Sequence, residues 1–330
     1  MYPLETSCWG REGHYISARV AFAFLSDDAK TLLDELLPKK SLSIENAFYE
    51  ASVWPDTVQG DPKYGWSTPM HFINTPYRTC DGFFINRDCH ASGTGPCLVS
   101  AISNYTGRLL DISLPPVERQ EALMFLTHFL ADVNQPLHVG FALDKGGNKI
   151  VTKPPWDHIK DKTGKDIKSP RAKPLHVQWD SHLIQYTYLK AGQTWSQFAD
   201  SLISDITRDR DAGSLLFTEL PTNWTETASE RAIKSSALSC TVAYKSRGAW
   251  ISPSQHLPLD YYLVASGVVS DQLKQSGIDI AHTLNAIAYE LNRFNDSDDD
   301  STASGTSDYD LWENAFGSPD NEDELYILSP

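Results

Sequence analysis

Three features of the sequence predict an all-α fold. Almost no segment alternates apolar and polar residues over any length, which removes the main signal for strands. Apolar residues instead recur at helical spacing in one stretch after another. Helix-start chemistry also punctuates these stretches, as at Ser26-Asp-Asp and Pro115-Pro116. In order, the turn Trp9–Gly13 leads into a helix from His14 to Leu25, and Ser26 caps a second helix ending near Leu37. Ser43 to Trp54 reads as a third helix, 55–70 as a loop, and His71 to Pro76 as a short extended piece. An irregular cysteine-bearing loop is expected over 77–96, then a helix from Pro96 to Asp111 and another opened by Pro116. Residues 142–175 read as irregular, with nine Lys or Arg against four Asp. Helices follow over Trp179–Leu189, Trp195–Arg208, Trp224–Tyr244 and Leu259–Arg293, the last either continuous or broken near Gly277.

The net charge of −15 is unevenly spread. Eleven acidic residues and no basic ones lie in 295–330, leaving 32 acidic against 28 basic groups elsewhere, a balance of −4. That tail reads as disordered. The remainder lacks the basic balance of a typical nucleic-acid binder, so a phosphate substrate would need bound cations to supply positive charge. No run of about 18 apolar residues is present, so no membrane span is expected.

Cys8, Cys80, Cys89, Cys97 and Cys240 include no C-x-x-C pair, which argues against a zinc knuckle or redox motif. Asn104, Asn223 and Asn295 open glycosylation sequons. Cysteines and sequons together point to an oxidising, secretory compartment. The signal peptide this implies is not in Met1–Cys8, which has no apolar core.

The strongest chemical signal is Leu126–Gly140, L-T-H-F-L-A-D-V-N-Q-P-L-H-V-G. His128 and Asp132 are four apart among Leu123, Leu126, Phe129, Leu130 and Val133, so they share one helix face. Pro136 ends or kinks that helix, and His138 follows. A buried His–Asp hydrogen bond would account for this stretch alone. Four further motifs shift the balance: W-G-R-E-G-H with His14, A-S-V-W-P-D with Asp56, M-H-F-I-N with His71, and L-H-V-Q-W-D with His176 and Asp180. Imidazoles and carboxylates beside apolar neighbours must pair or hold cations. Imidazole with carboxylate, and no thiolate, suits zinc in a hydrolytic site.

In kind and order these five motifs resemble the class I nucleases, the secreted, zinc-dependent, single-strand-specific nucleases and 3′-nucleotidases of fungi, plants and protists, related in fold to bacterial zinc phospholipase C. The resemblance covers about residues 9–292. It implies a single helical domain over 9–294, with 1–8 a leader remnant and 295–330 a tail. It implies three zinc ions in a cleft: one on Asp56, His71, His128 and Asp132; a second sharing Asp132 and taking His14 with the free amino group and carbonyl of Trp9; a third on His138, His176 and Asp180. Asp56 and Asp132 are the expected catalytic carboxylates, and Phe72 and Asn74 the expected substrate contacts. The implied reaction is attack of a zinc-activated hydroxide on phosphorus in single-stranded RNA, DNA or 3′-nucleotides, leaving 5′-phosphates, by a monomer. Three Zn²⁺ would add +6 to a body of −4, and base stacking on an aromatic requires an unpaired base. By the same resemblance the bridges are Cys80–Cys240 and Cys89–Cys97, Cys8 leaving with the leader after cleavage before Trp9.

Some positions depart from the family. Gln59 stands where relatives usually carry Arg, and Thr79 near an expected Lys, although Arg78 is adjacent. Asn134 replaces a frequent His. The Gly turn Asp144–Asn148 is expected to shape the cleft wall without taking part in chemistry. Two rival readings are a zinc phospholipase C-like phosphodiesterase and a non-catalytic zinc-binding relative.

Overall fold

The structure, a computed structural model, describes residues 9–37, 42–89, 96–155, 171–211 and 223–299. Helices α1 (Arg11–Ala23), α2 (Asp27–Leu36) and α3 (Ile44–Val58) come first. The Ser26 and Ser43 hydroxyls cap α2 and α3 by accepting from Ala29 N and Asn46 N. A 3-10 turn, Gly65–His71, leads into β1 (Ile73–Thr75), followed by the short α4 (Ile85–Asp88) and by α5 (Leu98–Leu110). The stretch expected as a loop over 55–70 is therefore helical at both ends. The helix carries Pro55 and continues to Val58, which puts Asp56 on its last turn.

Helix α6 (Pro116–Asp132) begins with proline at its first position and is buried along Ala122–Asp132 without interruption. A helix buried on all sides belongs at the centre of a core, and α6 packs against α5 and α3. Gln135 caps a 3-10 turn at Pro136–His138, after which β2 (Val139–Phe141) pairs in parallel with β1, Ile73 opposite Val139 and Thr75 opposite Phe141. That pairing brings the His71 and His138 segments side by side. The short strands β3 (Val151–Thr152) and β4 (Lys173–Pro174) pair antiparallel. Helix α7 (Leu175–Val177) continues through a π turn, Gln178–His182, into α8 (Leu183–Lys190). Helices α9 (Trp195–Asp211) and α10 (Trp224–Leu238) follow, α10 passing into a second π turn, Ser239–Ala243. The hairpin strands β5 (Lys245–Ser246) and β6 (Ala249–Trp250) precede α11 (Leu259–Asp299).

Helix α11 is continuous, so Gly277 does not break it. A Cβ at Gly277 would stand 2.3 Å from Val20 Cγ1, so the missing side chain is what lets α11 cross α1 closely. The helix also runs to Asp299, past the boundary expected at 294 and into the first residues of the expected disordered tail. From residue 300 onward the tail lies outside the described residues, as do residues 1–8. No described helix is long and apolar enough to cross a membrane. The structure joins Cys80 to Cys240 and Cys89 to Cys97. Asn104 is exposed on α5, and Asn223 is exposed where its side chain caps α10. The side chain of Asn295 is outside the described set.

Candidate metal centre

Eight of the nine donors named from the sequence converge on the C-terminal end of α6. Their ligand atoms form three groups, His14–Asp56–His128, His71–His128–Asp132 and His138–His176–Asp180, each within 4.8 Å. Asp132 is the hinge of the arrangement. Its Oδ2 lies 3.2 Å from His71 Nδ1 and 3.1 Å from His128 Nε2. Its Oδ1 faces the other way, 3.4 Å from His14 Nε2 and 3.5 Å from His138 Nδ1. Asp56 Oδ1 closes the first group at 3.5 Å from His128 Nε2 and 3.7 Å from His71 Nδ1. In the third group Asp180 lies 3.3 Å from His176 Nε2 and 3.8 Å from His138 Nε2. Donors about 2.0–2.2 Å from a tetrahedral ion stand roughly 3.3–3.5 Å from one another, so most of these separations match shared coordination, while His71 and His128 are also within direct bonding reach of Asp132 Oδ2.

Local structure aims the rings. His128 Nδ1 is 2.7 Å from the Ser52 carbonyl, and His176 Nδ1 is 2.7 Å from the Gly146 carbonyl. A carbonyl accepts only, so Nδ1 carries the proton in both and Nε2 presents a lone pair to the centre. His176 and Asp180 are brought onto one side through the π turn, a device common at functional sites. Gln135 donates from Nε2 to Asp180 Oδ1 at 2.6 Å while its Oε1 accepts from Leu137 N.

The chemistry of the donors calls for cations. Buried with no hydrogen bond are both ring nitrogens of His14 and of His138, together with Asp132 Oδ1 and Asp180 Oδ2. Orphaned polar atoms of this kind are costly unless something other than the protein's own atoms satisfies them. Burial pushes Asp180 well above the usual carboxylate range, Gln135's hydrogen bond offsetting it only in part. Asp132 behaves oppositely: burial would raise it, but the imidazoles led by His128 hold it well below that range. Burial drives His138 down to about 3 and lowers His14 as well, whereas the fields of Asp132 and Asp56 outweigh burial at His128 and lift it to about 9. Neutral His14 and His138, with a reluctant carboxylate at Asp180, leave the centre short of positive charge, which a divalent ion would supply while displacing the proton that His128 otherwise keeps.

Trp9, expected as the ninth donor, is fully buried, and its indole donates to the Ala131 carbonyl at 2.9 Å, beside Asp132. Gly10 N donates to the Asp180 carbonyl at 2.8 Å, which ties the start of α1 to the third group. Asp56, with 21% of its side chain exposed, marks the open side. Phe72 is half-buried and Asn74 exposed on the segment leaving His71. Gln59 donates from Nε2 to Asp56 Oδ1 at 2.9 Å and lies 3.3 Å from His71 Nε2, so a neutral amide steadies two donors where a cation was expected. Thr79 bonds Asp81 at 2.8 Å. Asn134 is buried and bonds Asp279 of α11 at 2.9 Å, away from the donor groups. His182, His256 and His282 belong to none of the three groups, and His90 and His158 lie outside the described residues.

Sequence reasoning missed Gln135 and Gly146. The turn at 144–148 does more than shape a wall, because its Gly146 carbonyl orients His176. Gly146 has φ +61°, and a Cβ there would meet the Leu137 carbonyl at 2.5 Å. The Gly-Gly pair was the visible signal; its distant partner was not.

The S1/P1 Nuclease family model matches residues 9–289. "Endonuclease 4" of Arabidopsis thaliana is 32% identical over 289 residues, covering 85% of this chain and 89% of the relative. "Nuclease P1" of Penicillium citrinum is 31% identical, covering 84% and 97%. "Nuclease S1" of Aspergillus oryzae is 36% identical over 147 residues, 43% of this chain and 47% of the relative. The chain belongs to the S1/P1 nuclease family and is a phosphodiester hydrolase with nucleic acid as its substrate.

Proposed function

We propose that this nuclease is a secreted, monomeric zinc enzyme that cleaves single-stranded RNA and DNA to 5′-phosphates and also removes the phosphate of 3′-nucleotides. The observation that carries the reading is the two-sided environment of Asp132, one oxygen toward His71 and His128 and the other toward His14 and His138. Asp56, His71, His128 and Asp132 would hold one ion, Asp132 and His14 a second, and His138, His176 and Asp180 a third. Trp9 would complete the second site with its amino group and carbonyl, provided that residues 1–8 are removed. Bound zinc would supply the acidity that ionises water near neutral pH and the positive charge that a phosphodiester needs.

The chain's own groups perform the rest. Asp132 and Asp56 bring negative charge to the centre, so the phosphate would be drawn in by the ions and not by side-chain cations. The Ser52 and Gly146 carbonyls keep two imidazole lone pairs aimed inward. Phe72 offers a half-exposed ring beside His71 for an unpaired base, with Asn74 next along. Disulfides Cys80–Cys240 and Cys89–Cys97 and the sequons at Asn104, Asn223 and Asn295 support export.

One preparation tests this. Chelation should remove three zinc per chain, measured by mass spectrometry of the metal, and lower the melting temperature. Zinc add-back should restore cleavage of single-stranded DNA and RNA but not of lecithin. Lecithin turnover without nuclease activity would favour the phospholipase-like reading. Zinc binding without turnover of any of these substrates would favour a non-catalytic relative. Intact-mass measurement should find the active form starting at Trp9.

A further inference from the structure

A second set of groups suited to nucleic acid lies on the rim, outside the donor groups. Tyr77 is 41% exposed and Arg78 is exposed beside it. Arg78 has φ +57°, a left-handed conformation unusual for a residue with a Cβ. Its guanidinium carbon sits 4.9 Å from the Tyr77 ring centroid and 4.8 Å from that of Trp250. Lys245 Nζ is 4.9 Å from the same Trp250 ring. Neither cation forms an ion pair with a carboxylate among the described residues. The carboxylate that feels Arg78 is the buried Asp144, which is engaged inward by the Tyr244 hydroxyl and Gly147 N, each at 2.7 Å.

The two segments are far apart in sequence and are locked together. The Cys80–Cys240 disulfide closes a separation of 160 residues just beyond Arg78 and just before Lys245. Beneath them Phe141 stacks on Tyr244 at 4.4 Å and meets Tyr77 edge-on at 5.6 Å and Trp250 at 5.8 Å. A surface already fixed in this way loses little freedom on binding. It is also continuous with the metal centre. Phe141 ends β2, which His138 immediately precedes, and Tyr77 follows β1, which His71 and Phe72 precede. Tyr77 lies six positions after His71, a reach of at most about 20 Å in extended chain.

We propose that Tyr77, Arg78, Lys245 and Trp250 form a strand-binding platform for single-stranded nucleic acid, holding a base and phosphates that flank the nucleotide at the metal centre. Two cations without carboxylate partners among the described residues, on a chain of net charge −15, select an anion. An exposed aromatic ring beside them adds a stacking face for an unpaired base. The proposal rests on single strands being the substrate, and the test separates the two ideas.

The zinc-loaded enzyme is compared with Arg78→Ala/Lys245→Ala and with the single variant Tyr77→Ala, an exposed position. A 3′-mononucleotide carries no flanking nucleotide to occupy the platform, so its kcat/KM should stay within about twofold. For a 12-nucleotide single-stranded DNA, kcat/KM should fall roughly 5- to 100-fold through KM, the range for losing a stacked base. The salt dependence of cleavage should become shallower by about 0.7 for each phosphate that is no longer neutralised. Anisotropy of a labelled phosphorothioate oligonucleotide reads binding without turnover, and the double variant should weaken it by at least fivefold. Unchanged oligonucleotide binding and salt slope, or an equal loss on the mononucleotide, would overturn the platform. Wild-type enzyme that binds the strand but cleaves neither substrate would sink the proposed reaction and leave the platform standing.

Discussion

The two ends of the donor set are built from different materials. His14, Asp56, His128 and Asp132 stand on α1, α3 and α6, with His71 delivered by a 3-10 turn. Their spacing follows from how buried helices pack, so the surrounding core holds it. His138, His176 and Asp180 sit on a 3-10 turn, a three-residue helix and a π turn. A few hydrogen bonds orient them: Gln135 to Asp180, the Gly146 carbonyl to His176, and Gly10 N to the Asp180 backbone. The first region should tolerate changes around it and fail only when a donor is removed. The second should be tunable by residues that never touch an ion.

The largest effect is expected at Asp132, which two of the proposed sites in the first region share. Asp132→Ala should lower cleavage of single-stranded DNA by roughly a thousandfold or more, as when a member of an interdependent constellation is removed. Bound zinc should fall by at least two ions while circular dichroism stays helical. Loss of a single ion would show that the first and second sites do not meet at Asp132.

Next comes Gly146→Ala. Alanine is strained at φ +61° and its Cβ would crowd the Leu137 carbonyl, so the turn must shift and release His176. Zinc affinity of the third group should drop about 10- to 100-fold, the usual effect of losing a partner that orients a ligand. Titration with a zinc indicator would read this, with the other two ions retained. Equal weakening of all three would erase the contrast between the regions.

Asp180→Asn sharpens the same contrast from the stability side. Burial raises the Asp180 carboxyl, so in the metal-stripped chain its ionised form is a cost. A raised folded pKa contributes stability below the unfolded value, about 3.9, and that stability is lost as pH rises through the folded pKa. The neutral amide avoids the loss. The stripped variant should therefore melt higher than stripped wild type at pH 7, with the gap closing below about pH 4. It should also fail to bind the third ion. A variant that melts lower at pH 7 would contradict this account of the buried carboxylate.

The smallest effect is expected at the mouth. Gln59→Ala removes an amide that bonds the partly exposed Asp56 and neighbours His71, so kcat/KM should fall only about three- to tenfold, in line with an exposed bond worth about 1 kcal/mol. Substitution with a measured loss above a hundredfold would make Gln59 as central as the buried donors.

The sequence showed the first region better than the second, for a physical reason. The four-residue spacing of His128 and Asp132 on an apolar helix is local, and local patterns are visible in a string of letters. So were the cap at Ser26 and the proline opening α6. Helix α3 running through Pro55 was hidden because proline usually ends a helix. Gly277 read as a possible break because its partner, Val20, is more than 250 positions away. The parallel pairing of β1 with β2, the Gly146 carbonyl and the Arg78–Trp250 contact are likewise products of distant segments meeting. Family resemblance supplied which donors belong together; periodicity alone left a buried His–Asp pair as an adequate account.

The central claim is that Asp132 joins two metal sites within one trinuclear cluster. A crystal of zinc-loaded protein, with anomalous data collected on both sides of the zinc edge, tests it most directly. The account predicts three zinc peaks per chain, two of them contacting opposite oxygens of Asp132 and the third held by His138, His176 and Asp180. A single peak, or peaks that leave one Asp132 oxygen without an ion, would contradict it.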